Sequence, residues 1–249
     1  MLAPDRLERF ARHIVLPELG GVGQQRLADA RVVLVGLGGI GSPALQYLAG
    51  AGIGHLLLVD DDRVDASNLQ RQTIYTERDI GHLKVVGAKR WTTNFDAALD
   101  IQLSDERIST GNAAGLVAGA DLVLDGCDNF ATRLAVSDAC VAAGVPLLSA
   151  AVGRFQGQVA AFAGAPCYRC FVGDAFDAED CDTCAADGML GAMAGWVGTF
   201  AAMQAVRILT GTMGDPQWGR LHLLDGLAPG MRHITIAADP ACAACGSVG

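Results

Sequence analysis

The chain has little charge, few aromatics and no excess of basic residues. Of its 249 residues only 18% are charged and 6% aromatic, and the formal net charge is −9. An acidic surface repels phosphate backbones and anionic headgroups, so neither nucleic acid nor membrane is an expected partner. Sparse aromatics leave no stacking platform for single strands. The opening residues, MLAPDRLERFARH, carry charges throughout and lack an apolar stretch. That excludes a secretory signal there, and a cytoplasmic location is expected. The eight cysteines then point to thiols, metal or catalysis rather than a disulfide framework. No internal repeat or long low-complexity linker is visible, and a single domain over residues 1–249 is the economical expectation. The five histidines (His13, His55, His82, His222 and His233) are scattered and suggest no base–nucleophile arrangement.

What the chain does have is apolar residues, 51% of the total, enough for a substantial core and an oligomer interface. The uncharged run from Met189 to Val206 reaches the lower length limit of a membrane span. Gly191, Gly195, Gly198 and Gln204 dilute it, so a close-packed buried helix is expected instead. Short apolar strands near 31–36, 55–60, 99–103, 121–125 and 145–151 alternate with helical patterns at 39–50, 84–96, 111–118 and 130–143. Two further helices are expected at 4–13 and 20–28. Such alternation implies a Rossmann-like α/β fold, with a mostly parallel sheet and helices on both faces. After Gly153 the character changes. Gln156–Phe162 reads as a strand, 173–188 as an acidic, irregular and mobile crossover, and 220–225 with 231–236 as strands extending the sheet in antiparallel fashion. A nucleotide-binding half, about 1–153, is thus followed by a second half, about 154–249.

The strand Val32-Val33-Leu34-Val35 runs straight into Gly36-x-Gly38-x-x-Gly41. Gly36 permits the tight turn, Gly38 lets phosphate approach the backbone, and Gly41 lets the following helix pack on the strand. Free amides and the positive helix end favour a polyphosphate. A second strand ends at Asp60, about 20 residues beyond the last glycine, where a carboxylate can hold ribose hydroxyls. This fingerprint alone is shared by dehydrogenases. Arg71 and Lys84, which follow soon after, suit a terminal β/γ-phosphate better than the internal pyrophosphate of a dinucleotide. With Asp125-Gly126-Cys127-Asp128, these segments all fall at the carboxyl ends of strands, where ligands bind in such sheets.

Three Cys-x-x-Cys pairs occur: Cys167/Cys170, Cys181/Cys184 and Cys242/Cys245. Two pairs supply the four thiolates of a tetrahedral zinc site. Cys242/Cys245 lies so near the end of the sequence that a metal clip to an earlier loop makes physical sense, and Cys167/Cys170 is the compact, turn-like partner. Zinc on Cys167, Cys170, Cys242 and Cys245 is expected. Cys181 and Cys184 are then free, unless they substitute in the zinc site, and Cys127 and Cys140 read as small core residues.

Arg9-Phe10-Ala11-Arg12-His13-Ile14, the GLGGIG loop, Ser67-Asn68-Leu69-Gln70-Arg71-Gln72, Lys84, Asp125-Gly126-Cys127-Asp128-Asn129, CYRC and the terminal CAAC together carry a resemblance. Over essentially its whole length the chain resembles the bacterial E1-like adenylyltransferases (ThiF/MoeB/HesA type), which activate ubiquitin-like sulfur carriers for thiamine and molybdopterin synthesis. The resemblance implies ATP on Gly36, Gly38, Gly39 and Gly41, with Asp60 at the ribose. It implies Asn68, Arg71 and Lys84 facing the triphosphate and Asp128 holding Mg²⁺, with Asp62, Gln72 and Asn129 completing the nucleotide-binding set. Arg12 is implied to reach the neighbouring subunit's site, making a homodimer the active unit. The implied partner is a carrier ending in Gly-Gly, bound by the second half of the chain, and sulfur is expected from a separate sulfurtransferase. Cys184 matches a loop cysteine that some relatives use covalently.

Two motifs depart from the family pattern. Asp125-Gly126-Cys127-Asp128 replaces Asp-Cys-Thr-Asp, keeping the metal-binding acid, and Gly188-Met189-Leu190-Gly191-Ala192 replaces a motif containing Val and Pro. Asp60-Asp61-Asp62 and Leu224-Asp225-Gly226 lean toward the thiamine branch. The rival readings are a non-catalytic carrier-binding subunit of the same fold and an NAD-dependent oxidoreductase. Nucleotide turnover discriminates against the first, and hydride transfer without ATP turnover would favour the second.

Overall fold

The computed structural model describes residues 2–173, 188–228 and 230–246. Residues 174–187, which make up nearly all of the expected crossover and include Cys181 and Cys184, lie outside that set.

The described residues form one eight-stranded sheet in the order β3-β2-β1-β4-β5-β6-β7-β8. The first five strands are β1 (Arg31–Val35), β2 (His55–Val59), β3 (Asp100–Ser104), β4 (Leu122–Asp125) and β5 (Leu147–Val152). They are parallel throughout, with Val33 beside both Leu57 and Val123. Strands β6 (Gln156–Phe162), β7 (Arg220–Asp225) and β8 (Gly230–Thr235) then add in antiparallel fashion, as the composition change at Gly153 suggests.

Alternation within each strand sorts the core into two layers. Val32 and Leu34 of β1 join the larger cluster, with Leu45 and Leu48 of α4 (Gly41–Ala51) and Val197 and Ala201 of α9 (Gly191–Thr210). Val33 and Val35 face the other way, onto Val117 of α6 (Ala113–Val117) and Val136 of α7 (Phe130–Ala143). Both faces of β1 are covered, which is why the run is apolar without alternation. Two short helices, α1 (Pro4–Arg9) and α2 (Ala11–Ile14), precede α3 (Gly20–Asp29), while α5 (Lys84–Phe95) links β2 to β3 and α8 (Tyr168–Val172) follows β6.

The single helix expected at 4–13 is in fact two. Phe10 leaves helical geometry at φ −101°, ψ 14°, and its ring is buried against the turn after α4, where a Cβ on Gly52 would lie 2.4 Å from Phe10 Cζ. Burial of that ring, absent from the local pattern, sets the break.

The apolar run from Met189 forms most of α9, which packs on α4, β5 and β6. By length and composition α9 is the one described helix able to cross a membrane, yet Ala194, Val197, Ala201 and Ala205 are fully buried inside the protein. Small residues let it approach α4 closely: a Cβ on Gly198 would meet Ile40 O at 2.4 Å and Pro43 Cγ at 2.5 Å. Gly195, on the same helix, has nothing within 4 Å. Gly198→Ala should therefore lower stability by about 1–3 kcal/mol through overpacking. Gly195→Ala should raise it by up to about 1 kcal/mol through helix propensity. Thermal melts of the two variants check this, and equal midpoints would contradict the packing of α9 on α4.

Candidate active site

The sheet changes winding direction between β1 and β4, opening a crevice beyond their carboxyl ends. Gly36 leaves β1 at φ +82°, and a Cβ there would lie 2.9 Å from Cys127 N and 3.0 Å from the Gly126 carbonyl carbon. Only glycine lets the loop turn while its backbone touches the turn after β4. A Cβ on Gly41 would sit 1.9 Å from Gly36 O, so the start of α4 is equally tight. Among the described residues the N–H groups of Gly38, Gly39, Ile40 and Gly41 find no acceptor, whereas Gly36 and Leu37 donate to Val59 O and Asp60 Oδ2. Four unpaired amides at a helix N-terminus form an anion cradle.

Around this cradle the structure gathers most of the residues singled out from the sequence. Asp60 accepts the Leu37 N–H at 2.6 Å and the Asp62 N–H at 2.9 Å, so both its oxygens are engaged by backbone. Burial is the largest influence on its pKa and raises it, against the pull of Lys84 and of those two N–H groups. Lys84, the first residue of α5, is only 6% exposed, and its Nζ lies 2.8 Å from Asp62 Oδ2. A lysine this buried with one exposed carboxylate partner is poised to exchange that partner for a ligand anion.

Asn68 closes a capping box with Asp65, its Oδ1 accepting the Asp65 N–H at 3.2 Å. Arg71 donates to Ser67 O at 3.0 Å and lays its methylenes over Gly39. Gln72 is buried beside Gly38, and its Oε1 has no partner among the described residues. On the β4 side Asp128 is exposed and makes no hydrogen bond or ion pair with any described residue, while Asn129 caps α7 by accepting the Thr132 N–H at 2.9 Å. An open carboxylate beside an amide cradle suits a divalent cation shared with phosphate oxygens.

Arg12 is not in this crevice. It is exposed on α2, next to Phe10, which packs at the Gly52 end of α4. The cradle is at the other end of that helix, on the order of 16 Å away at 1.5 Å per residue.

Two residues escaped the sequence reading. Tyr75 is buried, with its hydroxyl 3.1 Å from Leu37 O and 3.3 Å from Lys84 O. Arg133 is buried in α7 and donates to Cys127 O, to Ser149 Oγ at 3.0 Å and to Ala150 O at 2.7 Å, with Asp125 Oδ2 3.9 Å away. It thereby ties the turn bearing Asp128 to β5. A lone arginine in the otherwise uncharged start of α7 was the available signal.

The expected cysteine cluster is present. The Sγ atoms of Cys167, Cys170, Cys242 and Cys245 all lie within 4.8 Å of one another, with Cys167–Cys242 at 3.6 Å and Cys170–Cys245 at 3.4 Å. Tetrahedral zinc with bonds of about 2.3 Å needs S···S edges of about 3.8 Å, so the donor set fits. The Asp239 N–H donates to Cys170 Sγ at 3.4 Å, the kind of outer contact that steadies a thiolate ligand.

A nucleotide-binding α/β sheet with a free-amide glycine loop, converging cations and a four-cysteine clip defines a narrow class, and comparison with known proteins agrees. The sequence model described as "ThiF family" matches residues 10–244. The chain belongs to the ThiF family. It is 38% identical to the SAMP-activating enzyme E1 of Haloferax volcanii, with 100% of this chain and 92% of that protein covered. It is also 38% identical to the sulfur carrier protein adenylyltransferase of Thermus thermophilus, covering 97% of this chain and 92% of that one. The adenylyltransferase and sulfurtransferase MOCS3 of Bos taurus is 43% identical, and the match takes in 98% of this chain and 54% of the longer relative. A crystal structure of E. coli MccB with MccA-N7isoASN superposes with a TM-score of 0.86 at 20% identity, over 97% of this chain and 75% of that one. At that identity the likeness concerns the fold alone.

Cys127 and Cys140 lie apart from the cysteine cluster. Burial, and then the charge of Asp125, push the Cys140 thiol up to about 12; the same two causes raise Cys127 well above its usual value. A thiol so raised is almost wholly protonated at pH 8 and is a poor nucleophile. Iodoacetamide at pH 8 should leave Cys140 unmodified in the native protein, as read by peptide mass mapping. Labelling at the rate of an open thiol would contradict the burial described.

Proposed function

We propose that the chain is an ATP-dependent adenylyltransferase acting on the C-terminal Gly-Gly carboxylate of a ubiquitin-like sulfur carrier protein, in the cytoplasm. The single observation carrying this reading is the buried Lys84 held at the edge of an unpaired amide cradle. A dinucleotide fold has no use for that cation, whereas a triphosphate neutralises it. The relatives named above, an E1 and two adenylyltransferases, support the same chemistry.

In this reading Gly36, Gly38, Gly39 and Gly41 shape the loop whose amides take the phosphates. Asp60 and Asp62 lie toward the ribose, and Asn68, Arg71, Gln72 and Lys84 line the triphosphate. The carrier carboxylate is already a nucleophile, so no general base is required. Its oxygen attacks the α-phosphorus, forming an acyl–phosphate bond, while the bond to the β-bridging oxygen breaks and pyrophosphate leaves with that electron pair. Arg71 and Lys84 neutralise the charge that gathers on the departing phosphates, and orientation by the loop supplies the rest of the rate. Asp128, with Asn129 beside it, would hold Mg²⁺, which supplies further charge neutralisation when bound.

The chain functions as a homodimer in this proposal, with Arg12 completing the partner's site from a helix too far from its own. Exposed Leu7, Val15, Leu16, Val22 and Tyr47 on or beside the first four helices provide apolar surface for such an interface. The nucleotide half, about 1–153, and the carrier-binding and zinc half, about 154–249, work as one domain. Zn²⁺ on Cys167, Cys170, Cys242 and Cys245 is structural, since all four positions are taken by thiolates. A separate sulfurtransferase supplies persulfide sulfur, which attacks the acyl carbon and displaces AMP, and a thiol reductant then cleaves the acyl disulfide to leave the thiocarboxylate. Cys184, outside the described residues, is kept as the candidate for any covalent step.

The lean toward thiamine rests on acids with local work of their own. Asp61 pairs with Arg107 at 3.1 Å, and Asp225 accepts the N–H groups of Leu227 and Ala228 at 3.0 and 3.1 Å. The branch is therefore assigned by testing carriers.

ATP–pyrophosphate exchange by the purified protein should require one particular Gly-Gly-ended carrier. It should fall by roughly 10²–10⁵ in Lys84→Ala, Arg71→Ala or Asp128→Ala. No exchange with any carrier, from folded protein, would favour the non-catalytic carrier-binding subunit. Arg12→Ala and Asp128→Ala should each be inactive alone, yet regain activity when mixed, because one site of the mixed dimer is intact. Near-native exchange by Arg12→Ala alone would remove the in-trans role.

A further inference from the structure

We propose that Tyr75 is a positioning residue for the nucleotide phosphates, acting through a closed hydrogen-bonded circuit that fixes the glycine loop relative to Lys84. The proposal deepens the nucleotide reading of the crevice and rests on it.

Leu37 N–H donates to Asp60 Oδ2 at 2.6 Å, and Asp62 N–H donates to Asp60 Oδ1 at 2.9 Å. Lys84 N–H donates to Asp62 O at 2.9 Å, while Lys84 Nζ reaches Asp62 Oδ2 at 2.8 Å. The Tyr75 hydroxyl closes the ring, its one proton shared between Lys84 O at 3.3 Å and Leu37 O at 3.1 Å. The peptide units at Leu37 are thus held on both sides, by an acid on the N–H and a phenol on the C=O. That sets the direction of the next amides, Gly38 and Gly39, which have no acceptor of their own among the described residues.

Tyr75 suits this task. It is 5% exposed, and its ring is braced by α5, where a Cβ on Gly87 would lie 3.0 Å from two ring carbons. Burial, then the charges of Asp60 and Asp62, raise its pKa far above the working range, so the hydroxyl remains a donor at every functional pH. Among the described residues the hydroxyl bonds only backbone carbonyls, one on the glycine loop and one on the residue bearing the buried cation. Loss of the hydroxyl leaves the ring packing intact. Leu37 O keeps the Ser42 hydroxyl at 3.3 Å, and Lys84 O, as the first carbonyl of α5, keeps its intrahelical bond. Tyr75→Phe should therefore fold normally while loosening the spacing between cradle and cation.

The test measures binding of ATP and of adenosine, each without carrier, to wild type, Tyr75→Phe, Lys84→Ala and the double variant, by calorimetry and ligand-observed NMR. We expect Tyr75→Phe to weaken ATP roughly tenfold, the scale of one lost buried hydrogen bond, with adenosine affinity unchanged and the variant still melting in one cooperative transition no more than several degrees below wild type. The tenfold loss should shrink in the Lys84→Ala background, because the two residues act on the same phosphates. Unchanged ATP affinity, or an equal loss for adenosine and ATP, would overturn the proposal and leave Tyr75 as packing. Wild type that binds no ATP would instead overturn the nucleotide reading itself, and this inference with it.

Discussion

The close approach of the Gly36 backbone to the Gly126–Cys127 turn is the constraint from which the candidate site follows. The absence of a side chain at Gly36 brings the end of β1 and the end of β4 into contact. One loop then offers unpaired amides and the other an open acid, Asp128, across the same crevice. Lys84 and Arg71 are anchored locally and lean in from the segment after β2. The arrangement is charged: among the described residues four amides have no acceptor and the buried Gln72 Oε1 no donor, and a buried lysine leans on one exposed carboxylate.

The support around the site is built from polar contacts between distant segments. Arg133 ties the Asp128 turn to β5, and Tyr75 ties the glycine loop to α5. On the other core face the cysteine cluster joins α8 to residues 75 positions further along the chain. Closely packed α9, with Gly198 against Ile40, braces the cradle from behind.

Much of this was legible in the sequence because it is local. Val32–Val35 followed at once by Gly36–Gly41 specifies a strand, a turn and a helix start within ten residues, and the alternation through Val145–Ala151 gave the five parallel strands. The antiparallel extension followed from the change of pattern after Gly153. The compact Cys167/Cys170 pair and the Cys242/Cys245 pair marked a four-thiol set, and among the described residues the cluster has those four members. Tyr75 and Arg133 were not legible, since each owes its importance to carbonyls from other segments brought near by folding. The break at Phe10 was hidden for the same reason: the ring finds its place against Gly52, some forty residues away.

Intact mass spectrometry reads whether this crevice joins AMP to a carrier's terminal carboxylate, as proposed. Each Gly-Gly-ended carrier from the same host would be incubated with the protein and Mg·ATP, quenched in acid and weighed. One carrier should gain the mass of a single adenylyl group, and the same carrier lacking its last glycine should gain nothing. Unmodified carriers throughout, from protein shown to bind ATP, would contradict the proposal.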